Sequence, residues 1–460
     1  MTSAEPPPAA PRGAPDHVAP RGGPDHVAPR GAPDPASPHG APDPVAPRAG
    51  IVFAVGVVAV DAMGIGLAMP VIPELLREIS GLSTAQAAPW GGWMVFAYAA
   101  AMFLCGPLLG DLSDRFGRRP VLIAALATLS LDYLIAAAAQ SLWLLILARA
   151  VAGMAGATYS TAAAYVADVT PPEKRAAAFG WIGGGFGVGF VAGPALGGLL
   201  ATLGPRAPFL AAAGLCLAAA LAGLIWLPES LPADRRRAFS WRGANPFPAL
   251  AEAARLPGIG ALLAASAVFM FAFNVYPAIW AFYLIELHGW TAAGVGLSLA
   301  AFGLVMGAAQ AFGLGWTVAR IGMRNTVLMG LAFSVLTLGI YATGPAVWVI
   351  FAILPLVAIG DLAPMAMAAM MSARVSDDRQ GRLQGVLASL QGLTAALAPP
   401  LFAAIFEVFA RPGASPRAPG APFALSAVLA LAALVIVALA RDRSGGAAET
   451  RPAPDPAAAG

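Results

Sequence analysis

Four ionisable side chains stand inside long apolar runs of this sequence. Asp61 follows Val-Val-Ala-Val, Asp132 lies in Ser-Leu-Asp-Tyr, Arg149 in Ala-Arg-Ala-Val-Ala-Gly, and Asp361 in Ile-Gly-Asp-Leu-Ala-Pro. A charge in such a run is costly in hydrocarbon and marks a substrate route, an ion route or a proton relay. Asp61 is placed to neutralise a cationic substrate or to carry a proton; a structural hydrogen bond is the plainer alternative. Arg149 needs a partner or a wet cavity. Asn274, Tyr276 and Gln310 are candidates to line the same cavity, although each also suits ordinary internal packing.

Other chemistries find no residues here. There is no Gly-Lys-Ser/Thr nucleotide loop, no His-Glu-x-x-His and no Gly-x-Ser-x-Gly, so neither ATP-driven work nor an enzyme site is expected. The two cysteines, Cys105 and Cys216, both sit in apolar runs, so no cysteine-based metal site is expected. An ion gradient is left as the energy source. The proton is the expected ion, because an aspartate in apolar surroundings is readily neutralised by it. No permanently bound cofactor is expected.

A second kind of signal repeats. Gly110-Asp-Leu-Ser-Asp114-Arg115-Phe-Gly117-Arg118-Arg119 is echoed by Gly315-Trp-Thr-Val-Ala-Arg320-Ile-Gly322-Met-Arg324, with glycine, arginine, glycine and arginine at the same offsets. Glycines there permit a tight turn between helix ends. The arginines offer donors to Asp114, to Asp168 or to exposed helix carbonyls, which makes a latch that opens when the flanking helices move. The alternative is that they only fix orientation. A third pattern, Gly185, Gly189, Gly193 and Gly197 with Pro194, is a small-residue stripe for close helix packing, with a proline that permits a bend. Its expected place is the interface between halves.

The elements that carry these residues follow from composition. The 460 residues are 58% hydrophobic and 11% charged, with mean hydropathy +0.74. Soluble domains carry about 25% charged residues, so a soluble enzyme is excluded. A net charge of +3 makes no case for a nucleic-acid partner. Twelve apolar segments are long enough to cross hydrocarbon: 51–76, 90–111, 120–139, 142–166, 177–201, 208–227, 257–284, 292–315, 325–343, 346–370, 382–408 and 421–440. They must be helices, because backbone groups cannot stay unpaired in lipid. The expected fold is an all-α membrane protein of twelve transmembrane helices in two pseudo-symmetric six-helix bundles. With the amino terminus inside, 22 of the 27 Lys and Arg fall on the cytoplasmic side. Four (Arg77, Arg206, Arg411, Arg417) fall outside, and Arg149 lies within a span. Both termini are therefore expected in the cytoplasm.

The domain plan has five parts. Residues 1–50 form a Pro/Gly/Ala-rich tail of nine-residue repeats, expected to be disordered, whose His17, His26 and His39 are too widely spaced for a metal site. Residues 51–227 and 257–440 form the two bundles, 228–256 is a cytoplasmic connector, and 441–460 is a second disordered tail. Glu286 and His288 are expected in the loop after span seven.

At these motifs the chain resembles the major facilitator superfamily, and within its drug:H⁺ antiporter group it is most similar to the tetracycline/proton antiporters. The resemblance is carried by Asp61-Ala-Met-Gly-Ile-Gly-Leu-Ala-Met-Pro70-Val-Ile-Pro73, the Gly110–Pro120 loop, Ser130-Leu-Asp132-Tyr133, Gly193-Pro194-Ala-Leu-Gly197-Gly198 and Arg379-Gln-Gly-Arg-Leu-Gln384-Gly385. It implies that Asp61 and Arg149 line a central cavity, that Asp114 and Arg118 gate the cytoplasmic side, and that Asp132 and Asp168 are sensitive to replacement. It implies export of a divalent metal–tetracycline chelate, with Mg²⁺ carried as cargo, in exchange for a proton. The implied setting is the bacterial inner membrane. The expected partners are the small-molecule substrate and the lipid bilayer, with no obligate protein partner and a monomeric chain. One position departs from the pattern: the acidic residue usual in span nine is Ser334, while Asp361 in span ten has no acidic counterpart, so the alternatives are a proton-coupled exporter of a different drug or metabolite, or an importer of the same fold.

Overall fold

The structure is a computed structural model, and it describes residues 46–156, 158–239, 247 and 258–440. The repeats of residues 1–45, most of the connector and the 441–460 tail lie outside the described residues. Every described element is helical. Eleven helical segments are long and apolar enough to cross a membrane, and one of them, Ala292–Ala342, runs for 51 residues. At 1.5 Å per residue that is roughly 77 Å, more than two crossings of about 30 Å. It breaks at Gly322, whose φ of 78° and ψ of 164° are not helical. Two spans therefore lie in this segment, and the total among the described residues is twelve.

Local signals move several ends away from the apolar runs. Span two starts at Thr84, six residues before its apolar run, because Ser83 and Gln86 form a capping box. Span one is two helices, Ala46–Ala68 and Ile72–Ser80, interrupted around Pro70. Span seven is likewise Gly260–Phe273 and Val275–His288, interrupted at Asn274. It continues to His288 and stops at Gly289, with φ 64°. Glu286 and His288 thus belong to its last turn, not to a loop.

The interruptions obey the loop repeat. Gly110 and Gly315 are 205 positions apart, and so are the helix ends at Ala68 and Phe273. Span four breaks between Met154 and Thr158, and span ten breaks at Asp361, 205 positions beyond Gly156. Gly117 (φ 107°, ψ 160°) and Gly322 share a backbone region that only glycine enters without strain. One backbone plan is used twice.

Spans six and twelve are tied at both ends in matching ways. Arg119 Nη2 donates to the Leu224 carbonyl at 2.6 Å, near the end of span six (Ala207–Trp226). Arg324 Nη2 donates to the Ala438 and Ala440 carbonyls at 3.0 and 3.2 Å, at the end of span twelve (Ala421–Leu439). Both satisfy carbonyls that a helix end leaves open. At the opposite ends, Arg206 meets Glu78 at 3.0 Å and Arg417 meets Glu286 at 2.7 Å.

Span five, Arg175–Leu200, lays its glycine stripe on span one. A Cβ at Gly185 would come within 2.9 Å of the Val55 carbonyl oxygen, and one at Gly193 within 2.6 Å of that of Met63. At Gly189 and Gly197 it would run into the carbonyls of Ala59 and Leu67. The two helices mesh in four-residue steps, and this partner belongs to the same set of six. Contact with the other set comes from a neighbouring face, where Gly198 meets Ala292 and Ala293, and the Pro194 carbonyl meets Gly296.

Close contacts between the two sets gather on one side. Gly91 packs on Phe282, Gly92 on Pro399 and Ala403, and, deeper in, Gly392 on Phe103. Toward the face that carries Gly117, a Cβ at Gly106, Gly110, Gly180, Gly184, Gly307 or Gly315 would meet nothing within 4 Å. The tight glycine contacts between the sets thus lie toward the Gly81 face, and the glycines near the Gly117 face make none.

Candidate functional site

Arg149 and Asp132 form an ion pair between spans four and three. The Asp132 side chain is fully buried and that of Arg149 is 12% exposed. Arg149 also lies over the Tyr133 ring, 5.2 Å from its centroid. The pair satisfies the requirement for a partner and leaves little net charge at this depth. Asp61 is different: among the described residues it makes no ion pair and no hydrogen bond. It lies within electrostatic reach of Tyr98 and Tyr133. The Tyr133 hydroxyl stands 2.8 Å from where a Cβ on Gly64 would be, one turn along span one from Asp61.

A cavity of about 280 Å³ opens beside this group, with Tyr98, Tyr133, Arg149, Asn274, Tyr276 and Trp280 in its wall. Apolar side chains of spans one and two, Ile65, Met69 and Met94 among them, complete it. A mostly apolar wall with a few convergent polar groups is the ordinary make-up of a small-molecule site. Arg149 and Asn274 reach the wall; Asp61 and Asp132 are not part of it. Asn274 sits at the break of span seven, and its Nδ2 donates to the Met270 carbonyl at 2.8 Å.

Gln310 and Asp361 meet elsewhere. Gln310 Nε2 donates to Asp361 Oδ2 at 2.9 Å, and neither lines the cavity. Asp361 is nonetheless within electrostatic reach of Tyr276. Ser334 is 7% exposed and donates to the Gly330 carbonyl at 3.0 Å.

The Gly117 face carries the latch chemistry. Arg118 pairs with Asp114 at 2.5 Å and with Asp168 at 3.1 Å, and donates to Ser113 Oγ at 3.1 Å. Glu229 accepts from the backbone N–H groups of Arg118 and Arg119 at 2.8 and 3.3 Å, placing a carboxylate at the start of span three. Ser230 Oγ donates to Asp168 at 3.1 Å, and the Arg237 N–H to the Asp114 carbonyl at 3.1 Å. The beginning of the connector is therefore stitched to the loop. Arg115 lies over Phe116 and Arg320 over Trp316, both as exposed cation–π pairs. The second loop has Ala319 and Met323 where the first has Asp114 and Arg118, so the Arg118–Asp114 pair has no equivalent at those two positions.

Sequence reasoning singled out neither Tyr98, Trp280 nor Glu229. Glu229 had a readable signal, an acid three residues past the end of an apolar span. Tyr98 and Trp280 had none, because aromatic residues in apolar runs are ordinary packing.

The sequence profile of the Major Facilitator Superfamily matches residues 54–276 and 261–459. The chain is 41% identical over 360 residues to the class C tetracycline resistance protein of Escherichia coli, covering 78% of this chain and 90% of that one. It is 40% identical over 363 residues to the class G tetracycline resistance protein of Vibrio anguillarum, covering 79% and 92%. Among solved structures, the human organic anion transporter MFSD10 superposes with a TM-score of 0.62 at 22% identity, covering 85% of this chain and 99% of that one; at that identity the likeness concerns the fold alone.

Proposed function

This chain belongs to the Major Facilitator Superfamily, and from that premise we propose that it exports tetracycline, as a chelate with a divalent metal such as Mg²⁺, in exchange for protons. It is a multi-pass bacterial membrane protein and a transporter rather than an enzyme. The excess of arginine on the Gly117 face makes that face cytoplasmic, in the inner membrane, with both termini inside. The bundles 51–227 and 257–440 then rock about the cavity as a monomer, and the conformation described is the one open to the cytoplasm.

The observation that carries the proton reading is Asp61, an intramembrane carboxylate with no counter-ion among the described residues, beside an aromatic cavity. In the cycle, substrate enters from the cytoplasm against Tyr98, Tyr133 and Tyr276. The Asp132–Arg149 pair fixes the local charge, so Asp61 is the group whose charge is free to change. A proton taken up from outside neutralises Asp61 as the substrate leaves, and is released inward when the cavity reopens. The Arg118 latch with Asp114 and Asp168 forms and breaks with that reopening. The choice of tetracycline rests on the identity to the class C and class G proteins. Ser334 favours a second reading, export of another drug or metabolite: it is a neutral hydroxyl bonded to its own helix, where a carboxylate would offer charge to a metal chelate.

Inverted membrane vesicles energised by a proton gradient test both readings. Tetracycline accumulation that needs Mg²⁺, collapses with a protonophore and is absent in Asp61→Asn is the expected result. Proton-driven accumulation of other drugs without tetracycline selects the second reading. No proton-driven movement of any of them overturns both.

A further inference from the structure

Span ten holds a carboxylate that the cycle above does not use. Asp361 occupies the single-residue interruption between Leu354–Gly360 and Leu362–Ser372. Three residues later, Pro364 lacks the N–H that would bond the Gly360 carbonyl, so the helix is open on this turn. Facing it, span eight widens into a π turn over Ala309–Gly313, a distortion that concentrates at functional sites. That turn supplies Gln310, the hydrogen-bond donor to Asp361. A Cβ on Gly313 would stand 3.6 Å from Leu362, so the π turn packs directly on the interruption. Span nine closes the third side, where the Ser334 oxygen would sit 2.5 Å from a Cβ on Gly360.

No cation faces this carboxylate among the described residues. Span eight and its π turn, 292–313, contain no ionisable side chain, and span ten contains none besides Asp361. Span nine and the turn before it offer Arg320, Arg324 and Tyr341. Arg320 lies over Trp316, Arg324 is bonded to the end of span twelve, and Tyr341 directs its hydroxyl to the Ile350 carbonyl. Tyr276 of span seven is the titratable group within electrostatic reach. The contrast with the first half is direct: Asp132 is held by Arg149, whereas Asp361 is held by a neutral amide. An amide serves either protonation state, because Nε2 donates to a carboxylate and Oε1 accepts from a carboxylic acid.

We propose that Asp361 is a second proton-binding site, housed in the other half of the molecule from Asp61, with Gln310 as the partner that accommodates both of its states. One proton adds to a carboxylate oxygen of Asp361, the Gln310 amide turns from donor to acceptor, and the same proton later leaves to the other aqueous phase; no other bond changes. Only the direction of that flow rests on the export reading. The protonation itself does not.

The test uses the full chain in lipid, with two measurements. The first is a pH titration of the protonated-carboxyl C=O stretch by infrared difference spectroscopy. Wild type should show a titrating band that Asp361→Asn removes and that Gln310→Leu shifts in midpoint. The second is the ratio of protons to drug in proteoliposomes, expected to fall twofold in Asp361→Asn. An infrared titration that is the same in wild type and Asp361→Asn overturns the site, whatever the export data show. A midpoint unmoved in Gln310→Leu overturns the role of Gln310. A band lost in Asp361→Asn, in a wild type that moves no drug against a proton gradient, upholds the site and defeats the export reading instead.

Discussion

The Asp132–Arg149 pair permits a quantitative test. Asp132→Asn removes one charge while keeping the shape, leaving Arg149 as a cation with a side chain only 12% exposed. Breaking a buried pair by removing one partner costs about 3–5 kcal/mol. Arg149 lies over Tyr133 before and after the change, so that contact cancels from the difference. The single change should therefore cost about 3–5 kcal/mol, a hundredfold or more in the unfolding equilibrium. Arg149→Met leaves a fully buried carboxylate and should cost at least as much. The double variant buries neither charge and fills the arginine volume with an apolar chain, so it should return to within about 1 kcal/mol of the starting stability. Reversible SDS unfolding of the purified chain in mixed micelles, followed by tryptophan fluorescence across all four proteins, measures the coupling. At least about 2 kcal/mol is expected. Single-variant losses that simply add in the double variant would refute the argument, because they would mean that each charge is solvated on its own.

Three further outcomes follow from the packing and the loops. Gly189→Val drives a side chain into the Ala59 carbonyl and should destabilise by about 1–3 kcal/mol, while Gly187→Val, with nothing within 4 Å, should leave the thermal midpoint unchanged. Gly117→Ala and Gly322→Ala both pay for a positive φ, about 1–3 kcal/mol. The first should be the worse in a thermal scan, because its Cβ would sit 2.6 Å from the Glu229 carboxyl carbon, whereas Gly322 has open space. Deleting residues 2–45 should leave drug transport intact in a strain with normal expression; a lower transport rate would give the repeats a role.

The twelve spans and the duplicated loop were legible because each leaves a strong mark: an apolar run of fixed length, and glycine with arginine at set offsets. The partner of the glycine stripe was not. Span one answers it with Val55, Ala59, Met63 and Leu67, equally periodic but of mixed size, and what meets the glycines is their carbonyl oxygens, which every residue type possesses. The Gln310–Asp361 bond was hidden for another reason. The two residues are 51 positions apart, and the π turn that aims Gln310 is written in Ala-Gln-Ala-Phe-Gly, which carries no signature of its own. The loop arginines were read as donors to carboxylates or to helix carbonyls; Arg118 takes the first role, and Arg119 and Arg324 take the second.

Duplication and charge then part company in an instructive way. The 205-residue offset carries the backbone through the loop and the helix breaks, yet Asp61, Asp132 and Arg149 map onto Ser266, Thr337 and Leu354. The Asp361 position maps back onto Gly156. Helix breaks are repeated because they belong to the backbone plan that the two halves share. Intramembrane charges are not under that demand, and each must be balanced where it stands. The first half balances Asp132 with Arg149 and keeps Asp61 in reserve; the second keeps Asp361 alone with an amide. Each half therefore holds one carboxylate within a span with no counter-ion among the described residues, reached by different positions on the same scaffold. Spans six and twelve are meanwhile bonded at both ends to helices of their own set, so a separation of the two sets breaks none of those ties. Motion between the sets can then change the surroundings of Asp61 and of Asp361 separately, while the helices around each carboxylate keep their own contacts.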